Sequence, residues 1–296
     1  MFGKICPTFE KRIGEYTVKN DITAIILTKN EEANIARCIE SLGALPDRIV
    51  VVDSGSTDAT VQIAQELGAE IYHHPFKHYA DQFNWALEHT EIKTTWVYRI
   101  DADEAVPSEL RKEVQEACLK HQNDSVNGFL MKHKLFFLGR YLTHGGAYPF
   151  VKMTIFKPAY AKFEDRAMGE HVVLQSGTHI QLQNDCIHYD CKNLTAFVDK
   201  HNSYATREVI DYYARQKECQ ALLYQQAEIT KKLRDGLYYK LPKFFRAKLY
   251  FWYRYYIQLG FLDGTPGKIY ALIQAYFYRV LVDAKLYEAE IKEKEG

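Results

Sequence analysis

A short apolar run over residues 22–27 stops at Thr28-Lys29-Asn30, and the polar chain beyond it carries Ile35, Cys38, Ile39 and Leu42 at helical spacing. The run predicts a buried strand, and the spacing predicts an amphipathic helix over 31–42. The alternation then repeats. Residues 48–52 read as a second strand, stopped by Asp53-Ser54-Gly55-Ser56. A helix capped by Thr57 or Asp58 follows, carrying Val61, Ile63, Ala64 and Leu67, and Gly68 ends it. Residues 70–73, 79–88 and 96–100 predict strand, helix and strand. Strands and helices alternating through short connections specify a parallel sheet with crossover helices. Ligands bind such sheets beyond the carboxyl ends of the strands. Thr28, Asp53 and Asp101, which end three of the strands, are therefore expected on one edge.

Between about 125 and 190 the rhythm changes. Residues 128–137, 151–156, 171–174 and 180–188 predict strands with few helices between them, so this half of the sheet is expected to be mixed. From about Thr195 the chain reads as helical, broken at Pro242 and at Asp263-Gly264-Thr265-Pro266-Gly267. Residues 1–20 read as a tail or a lead-in strand. The expected organisation is one α/β domain over 1–200, with halves at 20–120 and 121–200, and a helical region over 201–296.

Composition narrows the class. A chain that is 47% hydrophobic and 26% charged is a folded one. Its 38 Lys and Arg balance 38 Asp and Glu, which argues against nucleic acid as a partner. The start, Met1-Phe2-Gly3-Lys4, lacks a signal-peptide pattern, and no apolar stretch reaches the roughly eighteen residues of a membrane span. Cys6, Cys38, Cys118, Cys186, Cys191 and Cys219 are scattered and read as reduced cytoplasmic thiols. Cys186-x-His188-x-x-Cys191 lacks a fourth ligand, so no structural zinc is expected.

The chemistry-bearing segments sit at the strand ends. Asp101-Ala102-Asp103-Glu104 follows the strand at 96–100. Carboxylates two apart at a strand end share a side. A hard divalent cation would relieve their repulsion, accept diphosphate oxygens and neutralise a departing nucleoside diphosphate. The plainer reading is an acidic turn before the helix at Pro107. Asp53 can accept a hydrogen bond from a base or a ribose, while Ser56 or Asp58 caps the next helix. Thr28, Asn30 and Glu31 suit a nucleoside pocket or an ordinary helix start with acids in its first turn.

Ile-Ile-Leu-Thr-Lys-Asn-Glu-Glu (25–32), Val-Val-Asp-Ser-Gly-Ser-Thr-Asp (51–58) and Arg-Ile-Asp-Ala-Asp-Glu (99–104), in that order and spacing, resemble family 2 inverting glycosyltransferases. The branch they resemble adds sugars to lipopolysaccharide core and other surface polysaccharides. Tyr79-Ala80-Asp81-Gln82-Phe83-Asn84-Trp85-Ala86-Leu87 and His144-Gly145-Gly146-Ala147-Tyr148-Pro149 are similar to segments of that branch, although it often has Arg where Phe83 stands. The resemblance covers roughly residues 20–200, with a looser one at 260–264. It implies a GT-A fold: a Rossmann-like mixed sheet flanked by helices, with a nucleotide-sugar half, an acceptor half and a helical C-terminal extension. It also implies that Thr28, Asn30 and Asp53 hold the nucleoside of a donor, most commonly a UDP-sugar. Asp101 would face the ribose or the ion, and Asp103 would ligate Mg2+ or Mn2+. His188 matches a histidine that contacts diphosphate or metal, and is otherwise a partly buried histidine. Lys152 or Arg140 would meet the diphosphate where relatives carry an Arg near Thr154. Inversion needs a carboxylate base in the acceptor half. Glu170 is the choice over Glu164 and Asp165, with pairing to Arg166 as its structural alternative and without the His that precedes this Glu in relatives.

The last third interleaves Lys231, Lys232, Arg234, Lys240, Lys243, Arg246, Lys248 and Arg254 with aromatic residues. That mixture suits an anionic membrane surface, and also a helix pair packed on the catalytic domain. With a lipid-linked saccharide or lipopolysaccharide acceptor it predicts a cytoplasmic protein held peripherally on the inner face of the cell membrane. The helix expected at 268–288 docks on the protein, forms an oligomer contact or lies in the interface. Three rivals stand beside the transferase. A sugar nucleotidyltransferase needs a glycine-rich basic loop after the first strand, where Thr28-Lys29-Asn30-Glu31 has none. A dinucleotide oxidoreductase needs Gly-x-Gly-x-x-Gly there. A non-catalytic membrane-associated assembly factor would tolerate loss of Asp103 or Glu170.

Overall fold

The computed structural model describes residues 20–163, 171–189, 193–215 and 238–295. The first half runs β1 (Ile22–Thr28), α1 (Ile35–Leu42), β2 (Arg48–Asp53), α2 (Thr60–Glu66), β3 (Glu70–His73), α3 (Tyr79–His89) and β4 (Trp96–Asp101). The four strands are parallel, in the order β3-β2-β1-β4. Then follow β5 (Glu104–Ala105), α4 (Ser108–Lys120), β6 (Val126–Phe137), β7 (Arg140–Tyr141), β8 (Phe150–Phe156), β9 (Ala161–Phe163), β10 (Val172–Leu174) and β11 (Thr178–Tyr189). The sheet continues from β4 through β8, β6, β11 and β5, with β7 beside β6. β8 runs antiparallel to both neighbours, whereas β11 is parallel to β6, so this half is mixed as expected. β9 and β10 form a separate antiparallel pair.

The core divides by strand alternation. Ile22, Ala24 and Ile26 of β1 face α1 and α4 through Ile35, Cys38, Leu42, Leu110 and Val114. Ile25, Val50 and Val52 face the other way, onto Phe83 of α3 and onto Phe156 and Phe163. A strand buried on both faces needs the unbroken apolar run seen in the sequence.

Helix α1 starts later than its spacing predicts. Asn30 is left-handed (φ 55°), and the Glu31 and Glu32 N–H groups donate across to Thr60 Oγ1 (2.7 Å) and Asp58 Oδ2 (3.2 Å). Residues 31–34 are thereby held as a turn. The two-residue strands β5 and β7 exist only through their partners, β11 and β6, and carry no pattern of their own.

The C-terminal region is helical, as expected. It comprises α5 (Leu194–Arg215), α6 (Phe245–Trp252), α7 (Gly264–Tyr270) and α8 (Tyr278–Glu295). The wider π-type turns of Tyr253–Ile257 extend α6, and those of Ala271–Phe277 join α7 to α8. Among the described residues no helix is long and apolar enough to cross a membrane. α8 packs on α5 through Ala205, Tyr278, Val282 and Leu286. Arg246 Nε donates to Asp283 Oδ1 at 2.8 Å, with both side chains almost fully buried. Asp283 also accepts from the Phe244 N–H at 2.6 Å.

Asp263 and two glycines fasten this region to the sheet. Asp263 accepts from the backbone N–H of Thr143 (3.0 Å) and His144 (2.8 Å), and pairs with His144 Nδ1 (2.9 Å). The Gly145 N–H donates to the Gln258 carbonyl (2.8 Å), and Arg254 Nε donates to the Gly145 carbonyl. A Cβ on Gly145, where φ is +61°, would lie 3.1 Å from Gly260 Cα. A side chain here would strain the left-handed backbone and push the two glycines apart by a few tenths of an ångström.

Asp283→Ala strands a buried guanidinium and is expected to cost about 3–5 kcal/mol in urea denaturation, whereas the double change Arg246→Met/Asp283→Leu costs much less. Burial opposes the charge on Asp263, but the His144 ring and the backbone N–H groups hold its carboxyl below the usual range. Its folded pKa thus lies below the unfolded one. The stabilisation is complete above the unfolded value and disappears as pH falls through the folded one. The stability gap between wild type and Asp263→Asn is expected to be widest near neutrality and to close below about pH 4.

Candidate active site

The parallel register sets one rim of the site. Thr28 pairs directly with Asp53, and Leu27 with Asp101, so the ends of β1, β2 and β4 share an edge. Asp53 is almost fully buried. It accepts from Thr28 Oγ1 (3.2 Å), Ser56 Oγ (2.5 Å) and the N–H groups of Gly55 and Ser56 (both 2.9 Å). Burial alone would raise its pKa, but the bonds from Ser56, Gly55 and Thr28 lower it. Asn30 braces the same rim from the β1–α1 loop. Its N–H donates to Ser56 Oγ and its Oδ1 accepts from the Thr57 N–H, both at 2.8 Å. Glu31 accepts from Asn34 Nδ2 at 2.9 Å. The two loops thus form one cross-linked wall.

At the end of β4 the two aspartates turn to different partners. Asp101 accepts from Tyr79 Oη (2.7 Å) and Lys152 Nζ (2.9 Å), and Arg99 Nε donates in turn to Tyr79 Oη (2.6 Å). Lys152 also reaches Glu104 Oε1 at 2.7 Å. This lysine, expected to meet a diphosphate, is a buried cation between two carboxylates. Burial opposes the Asp101 charge, yet the Lys152 ammonium, its hydrogen bond and the Arg99 guanidinium together lower the pKa to about 2. Glu104 is likewise buried, and Lys152 and the nearby imidazoles hold it well below the carboxylate range. His133, buried 3.3 Å from Glu104, is pushed down to about 3, chiefly by that burial.

Asp103 faces His188. β11 pairs antiparallel with β5, setting His188 opposite Glu104. The His188 Nδ1 then lies 3.5 Å from Asp103 Oδ1, and both side chains are partly exposed. Burial would lower the His188 pKa, but the Asp103 charge raises it. Lys200 Nζ of α5 comes within 3.8 Å of Asp103 Oδ2, so positive charge already gathers there. A divalent cation held by this carboxylate and imidazole would have to displace the His188 proton and the Lys200 ammonium, and would then keep further positions for diphosphate oxygens.

The Cys186 thiol, Glu104 and His133 also offer ligand atoms within 4.8 Å of one another. Lys152 already neutralises Glu104 at that corner, and Cys191 lies outside the described residues. Glu164, Asp165, Arg166 and Glu170 fall between β9 and β10, also outside the described residues. Arg140 is exposed and donates to the Leu262 carbonyl at 3.1 Å, which ties it to the C-terminal region.

Tyr79, Glu104, His133 and Lys200 were not singled out from the sequence. Tyr79 stands in the motif at 79–87 and Glu104 is the third acid of its run, so each carried a signal. Nothing local marks His133 or Lys200, which strand order and the docking of α5 bring in.

The fold is similar to that of the mannosyltransferase PcManGT from Pyrobaculum calidifontis, solved in complex with GDP-Man and Mn2+. The TM-score is 0.52 at 15% identity, covering 90% of this chain and 87% of that one. An uncharacterized glycosyltransferase of Rickettsia felis is 29% identical over 282 residues, 92% of each chain. The lipopolysaccharide core biosynthesis glycosyltransferase LpsC of Rhizobium meliloti is 27% identical over 282 residues, covering 91% of this chain and 93% of that protein. The profile of Glycosyl transferase family 2 matches residues 23–177 of the 296, from β1 to the foot of β11, and the chain belongs to that family of glycosyltransferases.

Proposed function

We propose that this glycosyltransferase moves a sugar, with inversion, from a nucleoside-diphosphate sugar to a lipid-linked saccharide or lipopolysaccharide acceptor. One observation carries the reading: the meeting of Asp103 and His188, far apart in sequence, at 3.5 Å beside the rim built on Asp53. The relatives add to it, since LpsC is named for lipopolysaccharide core biosynthesis and PcManGT was solved with a sugar nucleotide and Mn2+. The donor half is residues 20–120 and the acceptor half 121–200, with residues 201–296 as a helical extension that works peripherally at the inner face of the cell membrane.

In this reading the braced loops at Thr28, Asn30, Glu31 and Asp53 form the wall for the nucleoside, uridine in the first instance. Asp101, held by Tyr79 and Lys152, faces the ribose. Asp103 and His188 hold Mg2+ or Mn2+. Bound there, the ion would supply positive charge for the departing diphosphate. Lys152 keeps the strand-end carboxylates ionised and adds positive charge behind the diphosphate. Glu170 takes the proton from the acceptor hydroxyl as its oxygen attacks the anomeric carbon, and the bond to the nucleoside diphosphate breaks on the opposite face.

Calorimetry with uridine diphosphate is expected to give manganese-dependent binding to the wild type and none to Asp103→Ala. Binding of guanosine diphosphate instead would change the donor and keep the site. Failure of both, and of thymidine diphosphate, with folded protein would favour a non-catalytic assembly factor. Glu170→Gln is expected to keep donor binding while turnover falls by about a hundredfold or more. Undiminished turnover would pass the role of base to Glu164 or Asp165.

A further inference from the structure

Helix α6 is inside out. On a helix packed against a protein, apolar residues face the core and charged ones face water. Here Phe245, Leu249, Trp252 and Tyr256, at i, i+4, i+7 and i+11, are all exposed, and so is Ile257. The face turned to the protein carries Arg246 and Arg254, both buried. Each has partners there: Arg246 bonds to Asp283, and Arg254 Nη1 donates to Tyr250 Oη at 2.6 Å. Trp252 is 54% exposed and Ile257 55%. Beyond the π-type turns, Phe261 and Leu262 prolong the exposed apolar surface.

Between Asp235 and Asp263 the sequence holds Lys240, Lys243, Arg246, Lys248 and Arg254 and no acidic residue. Asp283 and Glu290 of α8 pair with Arg246 and Lys243, and Arg254 is buried, so the basic charge that this stretch turns outward is that of Lys240 and Lys248. Lys240 and Lys248 are exposed beside the apolar stripe. A second copy of the chain would bring the same basic run against it, because a twofold contact pairs a patch with itself. An anionic bilayer complements both features: its acyl region takes the rings and its headgroups take the lysines.

We infer that the exposed face of α6 and the following turn, Phe245 to Leu262, inserts into an anionic phospholipid surface, lying in the interface without crossing it. This deepens the reading of a lipid-linked acceptor and rests on it. The anchors of the face are also anchors of the acceptor half. Arg254, Gln258 and Gly260 clasp Gly145, and Asp263 binds Thr143 and His144. These last residues follow β6, whose carboxyl end lies on the same edge of the sheet as that of β4, since β8 runs antiparallel to both. Seating the face on a bilayer therefore fixes the acceptor edge relative to the membrane, so that an acceptor rooted in lipid meets it at a set height.

The test uses the full chain with vesicles of phosphatidylglycerol and phosphatidylcholine in equal parts, and with phosphatidylcholine alone. The wild type is expected to sediment with the anionic vesicles. Of the three tryptophans, Trp96 is buried, Trp85 packs between His74 and His89, and Trp252 is exposed. Emission is therefore expected to shift to the blue and to be quenched by lipids brominated on the acyl chain. Trp252→Phe should still sediment but lose the quenching. Phe245→Glu/Ile257→Glu should lower vesicle affinity by about tenfold or more while keeping manganese-dependent nucleotide binding. Failure of the wild type to sediment, sedimentation without quenching, or full binding by the double variant would overturn the inference. So would a wild-type dimer that the double variant converts to monomer while vesicles bind neither. If nucleotide binding fails and vesicle binding holds, the donor reading falls and the membrane face stands.

Discussion

The Lys152 ammonium is the node on which the rest of the site depends. It stands on β8 and reaches Asp101 at the end of β4 and Glu104 on β5, both within hydrogen-bond distance. A buried Glu104 and a partly buried Asp101 gathered at one strand end would protonate or repel one another if left unpaired. With Lys152 between them, and Arg99 acting through Tyr79, they stay charged and fixed. The same contacts join the parallel half of the sheet to the mixed half, because β8 is the strand through which β4 meets β6. Removing this ammonium would loosen the seam between the two halves as well as discharging the site.

Around that node the polar groups divide their tasks. Asp53 is engaged by Thr28 and Ser56, Asn30 by Ser56 and Thr57, and Thr60 and Asp58 by the Glu31 and Glu32 N–H groups, and these bonds hold two loops as one wall. Asp103 and His188 have only looser charge contacts and partial exposure. Groups engaged in this way fix the shape of the rim, whereas Asp103 and His188 stay partly open to solvent beside it.

Helix α6 inverts the usual arrangement, with its arginines inside and much of its apolar surface outside, whereas α5 and α8 pack through an ordinary apolar seam. The buried Arg246–Asp283 pair and the cluster on Glu208, which accepts from Tyr239 and Arg279, are costly to desolvate and take up the protein-facing side of α6 with polar contacts. The Gly145–Gly260 approach and the Asp263 cap bind this region to the segment that follows β6 and β7. What happens at the exposed face is therefore coupled mechanically to the site.

By itself the sequence determined the strand–helix alternation, the parallel first half and the residues at its strand ends. Each of these depends on a local period or on a boundary between apolar and polar residues. It also marked Asp103 and His188 separately, through the acid run and the resemblance. Only the tertiary structure decided that the two face one another, because the pairing of β11 with the two-residue strand β5 leaves no local trace. It likewise decided that Lys152 bridges Asp101 and Glu104, that His133 and Lys200 stand beside the site, and that the arginines of α6 point inward. Charge and spacing along a chain say which residues are available. Which charges become partners depends on strand order and helix docking, and those follow from the burial of side chains distant in sequence.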